Sequence, residues 1–444
     1  MMIALSLAFG LQVAQPALSQ VPDTSYLSLA AAITQAQRGN PSLRAERAEA
    51  RAAGQMPNEA STAYLPTITV DLVGLRTTDP VAVFGLKLRQ GVFQASDFDL
   101  DELNNPNPYN SFNTVATIEQ PLLVPEGWLG HKAAKRGASA RQAAADRAAG
   151  ATTFQVTQAY WDVQYGAAQL AALDTALATV RAHAARAERM HQQGLVTGLD
   201  ARLANLQAAE VEVGRVQAEA QVANAGSRLR AIMGLPESAA LVLTDSLGPG
   251  DPGLCANGTS ECDLNQRGDL IALRLGVEAA GYGVDRAWAS QLPFVFAFGS
   301  AGHYSNDALF ASGSGNWTIG LGLRWNILRG WAGPGEVNKA KADREAAEAR
   351  AEAAARQADV EVQSAKRMVA AARKRVTVAE WADGEGVEAL DQARLRYRTG
   401  TSPITELLDV QAAATNATLN LLAANRDFHV AQAALDFAYG VNDR

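Results

Sequence analysis

Two carboxylates that follow a break between helices are the side chains best placed to do chemistry. In RYRTGTSPITELLDV (396–410), an Arg-rich helical run stops at Gly400, and the next helix carries Glu406 and Asp409. Three residues apart, the two acids share nearly one helix face, where they could attract cations and repel anions. The helix dipole also favours acids near an N-terminus, so Glu406 alone supports either interpretation, whereas the pair after this turn favours the ion-attracting role.

The histidines are too scattered to form a catalytic or metal-binding set. His183 and His191 are two helical turns apart, but no acid or thiol completes a site around them. No phosphate-binding loop ending in Gly-Lys-Ser or Gly-Lys-Thr occurs. The sequence therefore predicts no enzyme, no cofactor and no metal, with the histidines on solvated helix surfaces. The five are His131, His183, His191, His303 and His429.

The two cysteines and the first residues point to export. The start, MMIALSLAFGLQVAQPALSQ, has an apolar run too short for a bilayer and a small-residue cleavage pattern, which predicts a signal peptide at 1–19. A buried N-terminal helix is the alternative. In an exported protein, the close pair Cys255 and Cys262 in CANGTSEC predicts a disulfide, because a metal site would need more ligands.

Charge and hydropathy narrow the class of partner. The 444 residues carry a net charge of -7, which argues against nucleic acid, since binding to phosphates needs a basic face. Beyond the start, no stretch is apolar enough for a transmembrane helix. Any membrane crossing would therefore have to use strands.

The elements that position these residues occur twice. Each half reads helix, strand, strand, very long helix, turn and helix, and Leu-Pro opens the first strand in both AYLPTITVDLVG (63–74) and SQLPFVFAFGSAG (290–302). Internal repetition of this kind decides the fold. It predicts one repeat at 20–234, a linker with the cysteine pair at 235–263, and a second repeat at 264–444.

The long helical runs carry apolar residues at the 3-4 spacing of packed helices. From Gly130 to Gln193 no proline interrupts the run, which at 1.5 Å per residue predicts a rod of roughly 95 Å. Gly384 and Gly386 interrupt the matching run, where a kink is expected.

One strand has the pattern of a membrane strand. In NWTIGLGLRW (316–325), Trp317 and Trp325 flank an apolar face, and the opposite face is polar or small. A sheet packed on helices is the alternative. Only four such strands are visible, whereas the smallest closed barrels have about 8. If the strands cross a membrane, several copies must share one barrel.

This order of elements resembles the outer membrane efflux protein family, the TolC-like proteins, from about residue 28 to 442. The most specific pieces are RYRTGTSPITELLDVQAA (396–413) and QGLVTGLDARLANLQ (193–207). The resemblance implies a mainly α fold with a membrane β-barrel. It also implies a homotrimer whose 12-stranded outer membrane barrel, with four strands per chain, continues as a helical coiled-coil-like tunnel into the periplasm.

By the same resemblance, the chain would be the exit duct of a tripartite efflux or type I secretion system. It would conduct substrates passively, with a periplasmic adaptor protein, an inner membrane transporter and outer membrane lipid as partners. The alternative is a soluble periplasmic coiled-coil scaffold or adaptor without a barrel. The inserts at 76–112 and 300–316 are expected on the cell exterior.

The resemblance also assigns roles at the tip of the tunnel. Glu406 and Asp409 would form stacked acidic rings at the constriction, and Tyr397 would link to Asp200 to keep the tip closed. Ser402 stands where the family has an arginine that makes a second link. The tip turns would contact the adaptor. These turn residues are Gly194, Leu195, Val196, Thr197, Gly400, Thr401, Ser402 and Pro403.

Overall fold

A computed structural model gives the fold of most of the chain. It describes residues 26–250, 255, 262–311, 313–328, 330–441 and 443. The predicted signal peptide at 1–19 lies outside the described residues, as does most of segment 251–261 in the predicted linker. A disulfide joins Cys255 to Cys262.

The helices repeat in length between the two halves, which confirms the internal twofold repeat. The long helices α6 and α9 have 68 and 67 residues, and the helices that follow them, α7 and α10, have 36 each. In order, the helices are α1 (Leu29–Gly39), α2 (Pro41–Ala53), α3 (Met56–Ser61), α4 (Pro80–Arg89), α5 (Leu100–Asn104), α6 (Pro125–Gln192), α7 (Gly198–Met233), α8 (Gly268–Ala289), α9 (Ala332–Arg398) and α10 (Ile404–Tyr439).

The strands of the described part form two sheets. In the small one, β1 (Tyr26–Leu27) pairs in parallel with β4 (Val242–Leu243). The large sheet is antiparallel, in the order β2-β3-β5-β6. Its strands are β2 (Thr67–Thr77), β3 (Tyr109–Leu123), β5 (Phe294–Ser305) and β6 (Ser314–Arg324).

The chain forms two compact units. Among the described residues, the first unit takes those within 26–41, 152–250 and 369–433, and the second takes those within 42–151, 255–368 and 434–443. Each unit draws segments from both halves of the sequence, so the predicted repeat boundaries stay a prediction. None of the helices in the described part has a stretch long and apolar enough to pass through a bilayer.

Small residues let the helices of the first unit approach closely. Ala32 and Ala36 of α1 are fully buried against Val156, Tyr160 and Leu229. Packing of small against large side chains along the helices provides the buried surface of this unit.

Two glycines of the second half lie within the long helix α9. Helix α9 continues through Gly384 and Gly386 as one helix, and the expected kink at these residues stays a prediction. A Cβ on Gly386 would lie 3.2 Å from the Cα of Ala414 in α10, whereas one on Gly384 would meet nothing within 4 Å. Gly386 therefore allows α10 to pack closely, and Gly384 makes no such contact.

The histidines do not all lie on solvated surfaces, contrary to the prediction. The His429 ring stacks on Trp161 with 3.8 Å between ring centroids, and its Nε2 lies 3.0 Å from the carbonyl oxygen of Gly248. Burial lowers the pKa of His429 and also that of His183. Desolvation disfavours the charged imidazole at both positions.

The segment between β2 and β3, residues 78–108, is a folded insert rather than an open loop. Asp79 caps α4 by accepting a hydrogen bond from the Ala82 N–H, and Val83 and Leu86 of that helix are buried. The predicted second insert at 300–316 is shorter than expected. Both strands extend into that range, because β5 runs to Ser305 and β6 begins at Ser314.

Candidate functional site

The two helix tips turn with the same backbone geometry. Gly194 and Gly400 both have φ of 74°. At each glycine, two backbone hydrogen bonds close the helix end. The longer-range bond runs from the Leu195 N–H to the Met190 carbonyl oxygen in the first turn and from the Thr401 N–H to the Arg396 carbonyl oxygen in the second, both at 2.9 Å. This is the Schellman arrangement, in which a glycine adopts the left-handed conformation that other residues avoid.

A buried cluster from four helices holds the two tips together. Ala187 of α6, Ala204 of α7 and Leu407 of α10 are fully buried in it. Tyr397 of α9 packs its ring into the same cluster. The turns therefore project from a packed base, which fixes the direction of the first turn of α10.

The first two turns of α10 carry Glu406 and Asp409 in unlike surroundings. Glu406 Oε1 lies 2.5 Å from Arg396 Nη1 on the last turn of α9. Asp409 is exposed, and no ion pair of Asp409 is seen in the described chain. Both acids are at the predicted turn, but only Asp409 presents an unpaired charge within one copy. Their role as acidic rings stays a prediction.

The tip-closure residues Asp200 and Tyr397 have other partners within the chain. The Asp200 carboxylate accepts hydrogen bonds from the Thr197 N–H at 2.9 Å and hydroxyl at 2.8 Å, which caps α7. The Tyr397 hydroxyl lies 3.9 Å from Met190 Sδ, and burial raises its pKa. The structure therefore places both residues at the tip without a hydrogen bond between them.

The turn residues expected to contact an adaptor are mostly exposed. The Leu195 side chain is 66% exposed, which is unusual for leucine. Ser402 differs, because its Oγ is buried and has no hydrogen-bond partner in the described chain. The short Ser402 side chain therefore makes no hydrogen bond to a neighbour in the described chain.

The large sheet has one apolar face, as the alternation in β6 predicts. Cross-strand pairing sets Val70, Ala116, Ala301 and Trp317 in one row across all four strands. We call this side the apolar face. It is open in the single chain: Trp317 is 75% and Ile319 76% exposed. A face packed on helices would be buried, so the sheet alternative is wrong for this copy.

The other side of the sheet, which we call the hydroxyl face, carries a matching row of polar residues. Thr69, Thr117, Ser300 and Thr318 pair in register across the four strands. Four aligned hydroxyls give this face a hydrophilic belt that water can solvate.

Phenylalanines on the hydroxyl face were not predicted. Phe296 and Phe298 of β5 pair with Gly322 and Gly320 of β6, and their rings lie over these glycines. A Cβ on Gly320 would be 2.6 Å from the Phe298 ring. The glycine repeat in β6 was the available signal, since strand glycines often make room for a neighbouring side chain.

A sheet with one apolar and one hydrophilic face, whose edge strands are unpaired in the described chain, defines the class of a membrane channel subunit. The model of the outer membrane efflux protein family matches residues 32–235 and 263–441. The chain therefore belongs to the outer membrane efflux protein family. It is an outer membrane efflux channel protein, which lies in the outer membrane and extends into the periplasm.

Solved structures share the fold at low sequence identity. A membrane protein from Pseudomonas aeruginosa is 22% identical with a TM-score of 0.76, and the match covers 93% of this chain and 92% of that chain. The outer membrane protein VceC from Vibrio cholerae is 19% identical with a TM-score of 0.75, and the match covers 93% of this chain and 96% of that chain. The open state of the Neisseria gonorrhoeae MtrE outer membrane channel is 21% identical with a TM-score of 0.74, and the match covers 93% of this chain and 88% of that chain. Comparison with curated protein sequences gave no match.

Proposed function

We propose that three copies of this chain form one outer membrane exit duct, which serves a tripartite efflux or type I secretion system. An inner membrane pump supplies the energy, an adaptor protein connects pump and duct, and the duct conducts the substrate passively. Three chains contribute 12 strands to one barrel, and their long helices form the periplasmic tunnel.

The open edges of the large sheet are the observation that carries this proposal. In the described chain, β2 pairs only with β3, and β6 pairs only with β5. Unpaired backbone groups cannot face lipid, because no water is present there to bond them. Identical copies can close the sheet by pairing β2 of one chain with β6 of the next.

The direction of the two faces supports the same assembly. In a closed barrel the apolar face turns to lipid, and the tryptophans at its ends lie at the level of the membrane interfaces. The hydroxyl face then lines the lumen. With threefold symmetry, Thr69, Thr117, Ser300 and Thr318 of each copy continue as one hydroxyl belt around the passage.

The tip residues supply the regulated end of the proposed duct. Glu406 and Asp409 of three copies surround the axis, and Asp409 contributes the unpaired negative charge. The two glycine turns, with the exposed Leu195 beside the first, form the surface that meets the adaptor. Both roles rest on the family's arrangement together with the exposure of these side chains.

The experiment expresses the full chain in a Gram-negative host together with its adaptor. We expect heat-resistant trimers in the outer membrane fraction and ion-conducting channels after reconstitution in planar bilayers. A thiol-specific cross-linker should join a Leu195→Cys variant to the adaptor. The chain without an introduced cysteine is the control, since its two native cysteines are bonded to each other. A soluble periplasmic monomer without channel activity would overturn the proposal.

A further inference from the structure

The insert between β2 and β3 packs side chains against one side of the sheet. Three consecutive residues, Arg89, Gln90 and Gly91, reach three different strands. Arg89 lies against the Tyr304 ring of β5, Gln90 bonds the Ser111 side chain of β3, and Gly91 passes so close to β6 that a Cβ there would touch the Ser314 side chain.

All three contacted side chains belong to the hydroxyl face. Side chains alternate between faces along a strand, and cross-strand partners share a face. Ser314 pairs with Tyr304, and both are an even number of residues from Thr318 and Ser300, which pair with each other. Ser111 is likewise an even number of residues from Thr117 of the same row. The insert therefore lies over the side that lines the lumen.

We propose that the insert is an outer cap, which folds over the lumen face of the barrel and restricts the size of what leaves the duct. This inference rests on the proposed trimeric barrel. Each copy contributes one insert, so three caps surround the exit. The constriction is separate from the acidic turn at the helix tips and is formed by different residues.

Gln90 holds the cap against the sheet through buried hydrogen bonds, and we call this residue with its bonds the latch. Its side chain is only 4% exposed, and its Nε2 donates to Ser111 Oγ at 3.1 Å and to the Ser305 carbonyl oxygen at 3.2 Å. Its Oε1 accepts a hydrogen bond of 2.5 Å from the Tyr109 hydroxyl. A buried amide with donors and acceptor all satisfied holds one geometry, because any movement leaves polar groups unpaired.

Arg89 and Gly91 support the latch on either side. The Arg89 guanidinium lies 5.9 Å from the centre of the Tyr304 ring, within the range of a cation–π contact. Gly91 has φ of 69°, and a Cβ there would lie 3.6 Å from the Ser314 side chain. The chain thus reverses tightly against β6, which keeps α4 close to the sheet.

The insert has a core of its own, so it can act as a rigid cap. The rings of Phe84, Phe93 and Phe98 pack edge to face, with centroids 5.0 and 5.3 Å apart. Lys87 Nζ lies 2.7 Å from Asp97 Oδ1, and the hydrogen bond from Lys87 lowers the pKa of Asp97.

The test measures access to the lumen from outside intact cells. A Thr318→Cys variant places a thiol on the hydroxyl face, and it is the only free thiol because Cys255 and Cys262 are bonded. A small hydrophilic maleimide and a much larger polyethylene-glycol maleimide are added to separate samples. We expect the small reagent to label readily and the large one at least about tenfold more slowly.

Loosening the latch should remove this size limit. Adding Gln90→Ala should raise the labelling rate of the large reagent about tenfold and change that of the small one by less than about twofold. Glu102→Ala, an exposed position on the same insert, is the matched control and should change neither rate. If Gln90→Ala fails to form heat-resistant trimers, Arg89→Ala tests the cap through its separate contact.

Two outcomes separate failure of the cap from failure of the barrel. If the large reagent labels Thr318→Cys as fast as the small one in the otherwise unchanged protein, the cap is refuted. An Ile319→Cys variant should resist both reagents, since its side chain faces lipid. Equal labelling of Ile319→Cys and Thr318→Cys by the small reagent would instead refute the proposed barrel.

Discussion

Glu406 and Asp409 carry the same formal charge but differ in what surrounds them. Arg396 lies 2.5 Å from Glu406, so this pair is close to a neutral unit, whereas Asp409 is exposed. Pairs this exposed contribute little to stability, and their effect is on the local field. Asp409 is therefore the acid that sets the charge of the tip.

Ion selectivity of the duct should depend on Asp409 and not on the Glu406–Arg396 pair. Asp409→Asn removes one unpaired charge per copy, so we expect the cation-to-anion permeability ratio to fall by about threefold or more. The double variant Glu406→Gln with Arg396→Gln removes a neutral unit and should leave the ratio close to that of the parent. Reversal potentials across a salt gradient in planar bilayers measure both.

A matching loss of selectivity in the double variant would contradict this assignment. The two single variants complete a double-mutant cycle, because Arg396→Gln should raise cation selectivity while Glu406→Gln should lower it. The sequence could predict that both acids lie at the tip. It could not predict the ion pair, since the partners stand on different helices and their distance depends on how the turn packs.

Among the structural elements, the tip turns were the most predictable. A glycine after a helical run and before a capping residue predicts a left-handed helix end, and both turns have φ of 74°. The insert was less predictable. The later part of the insert is Asp- and Asn-rich and resembles a loop, whereas its apolar start, which could have extended the strand, forms helix α4 and buries Val83 and Leu86 on a protein surface. Such a surface depends on the sheet and is not visible in a local sequence pattern.

A side chain at either tip glycine should destabilise its turn locally. A Cβ on Gly400 meets nothing within 4 Å, so the cost of Gly400→Ala is that of the left-handed backbone alone, about 1–2 kcal/mol. Gly384→Ala is the matched control, because that glycine is equally open but helical, and it should stabilise by about 0.5–1 kcal/mol. Hydrogen exchange of the amides flanking each glycine reports its local opening energy.

The sign of the two effects is the decisive result. Slower exchange in both variants would mean that Gly400 is not held in the left-handed conformation. Faster exchange in Gly400→Ala with slower exchange in Gly384→Ala is expected. Gly194→Ala should behave as Gly400→Ala does, because the two turns have the same φ and hydrogen bonds.

For the whole molecule, the sheet is incomplete in a single chain. The alternation in β6 predicted an apolar face, and four strands per chain predicted shared barrels. The sequence could not predict that Thr69, Thr117, Ser300 and Thr318 align, because cross-strand register depends on turn lengths and pairing. Nor could it predict that Phe296 and Phe298 cover the strand glycines, for the same reason.

Neighbouring residues of β6 provide a direct test of which face meets lipid. Ile319→Arg places a charge on the apolar face, which in barrel proteins costs about 2–4 kcal/mol near the bilayer midplane and less toward the interfaces. Thr318→Arg, one residue away on the hydroxyl face, keeps the charge in water and should cost little. Because closure of the barrel is coupled to trimer assembly, the heat-resistant trimer fraction in the outer membrane should fall for Ile319→Arg and stay near the parent for Thr318→Arg. If both variants assemble equally well, the apolar face does not contact lipid, and its exposed side chains, Ile319 among them, must be covered by protein.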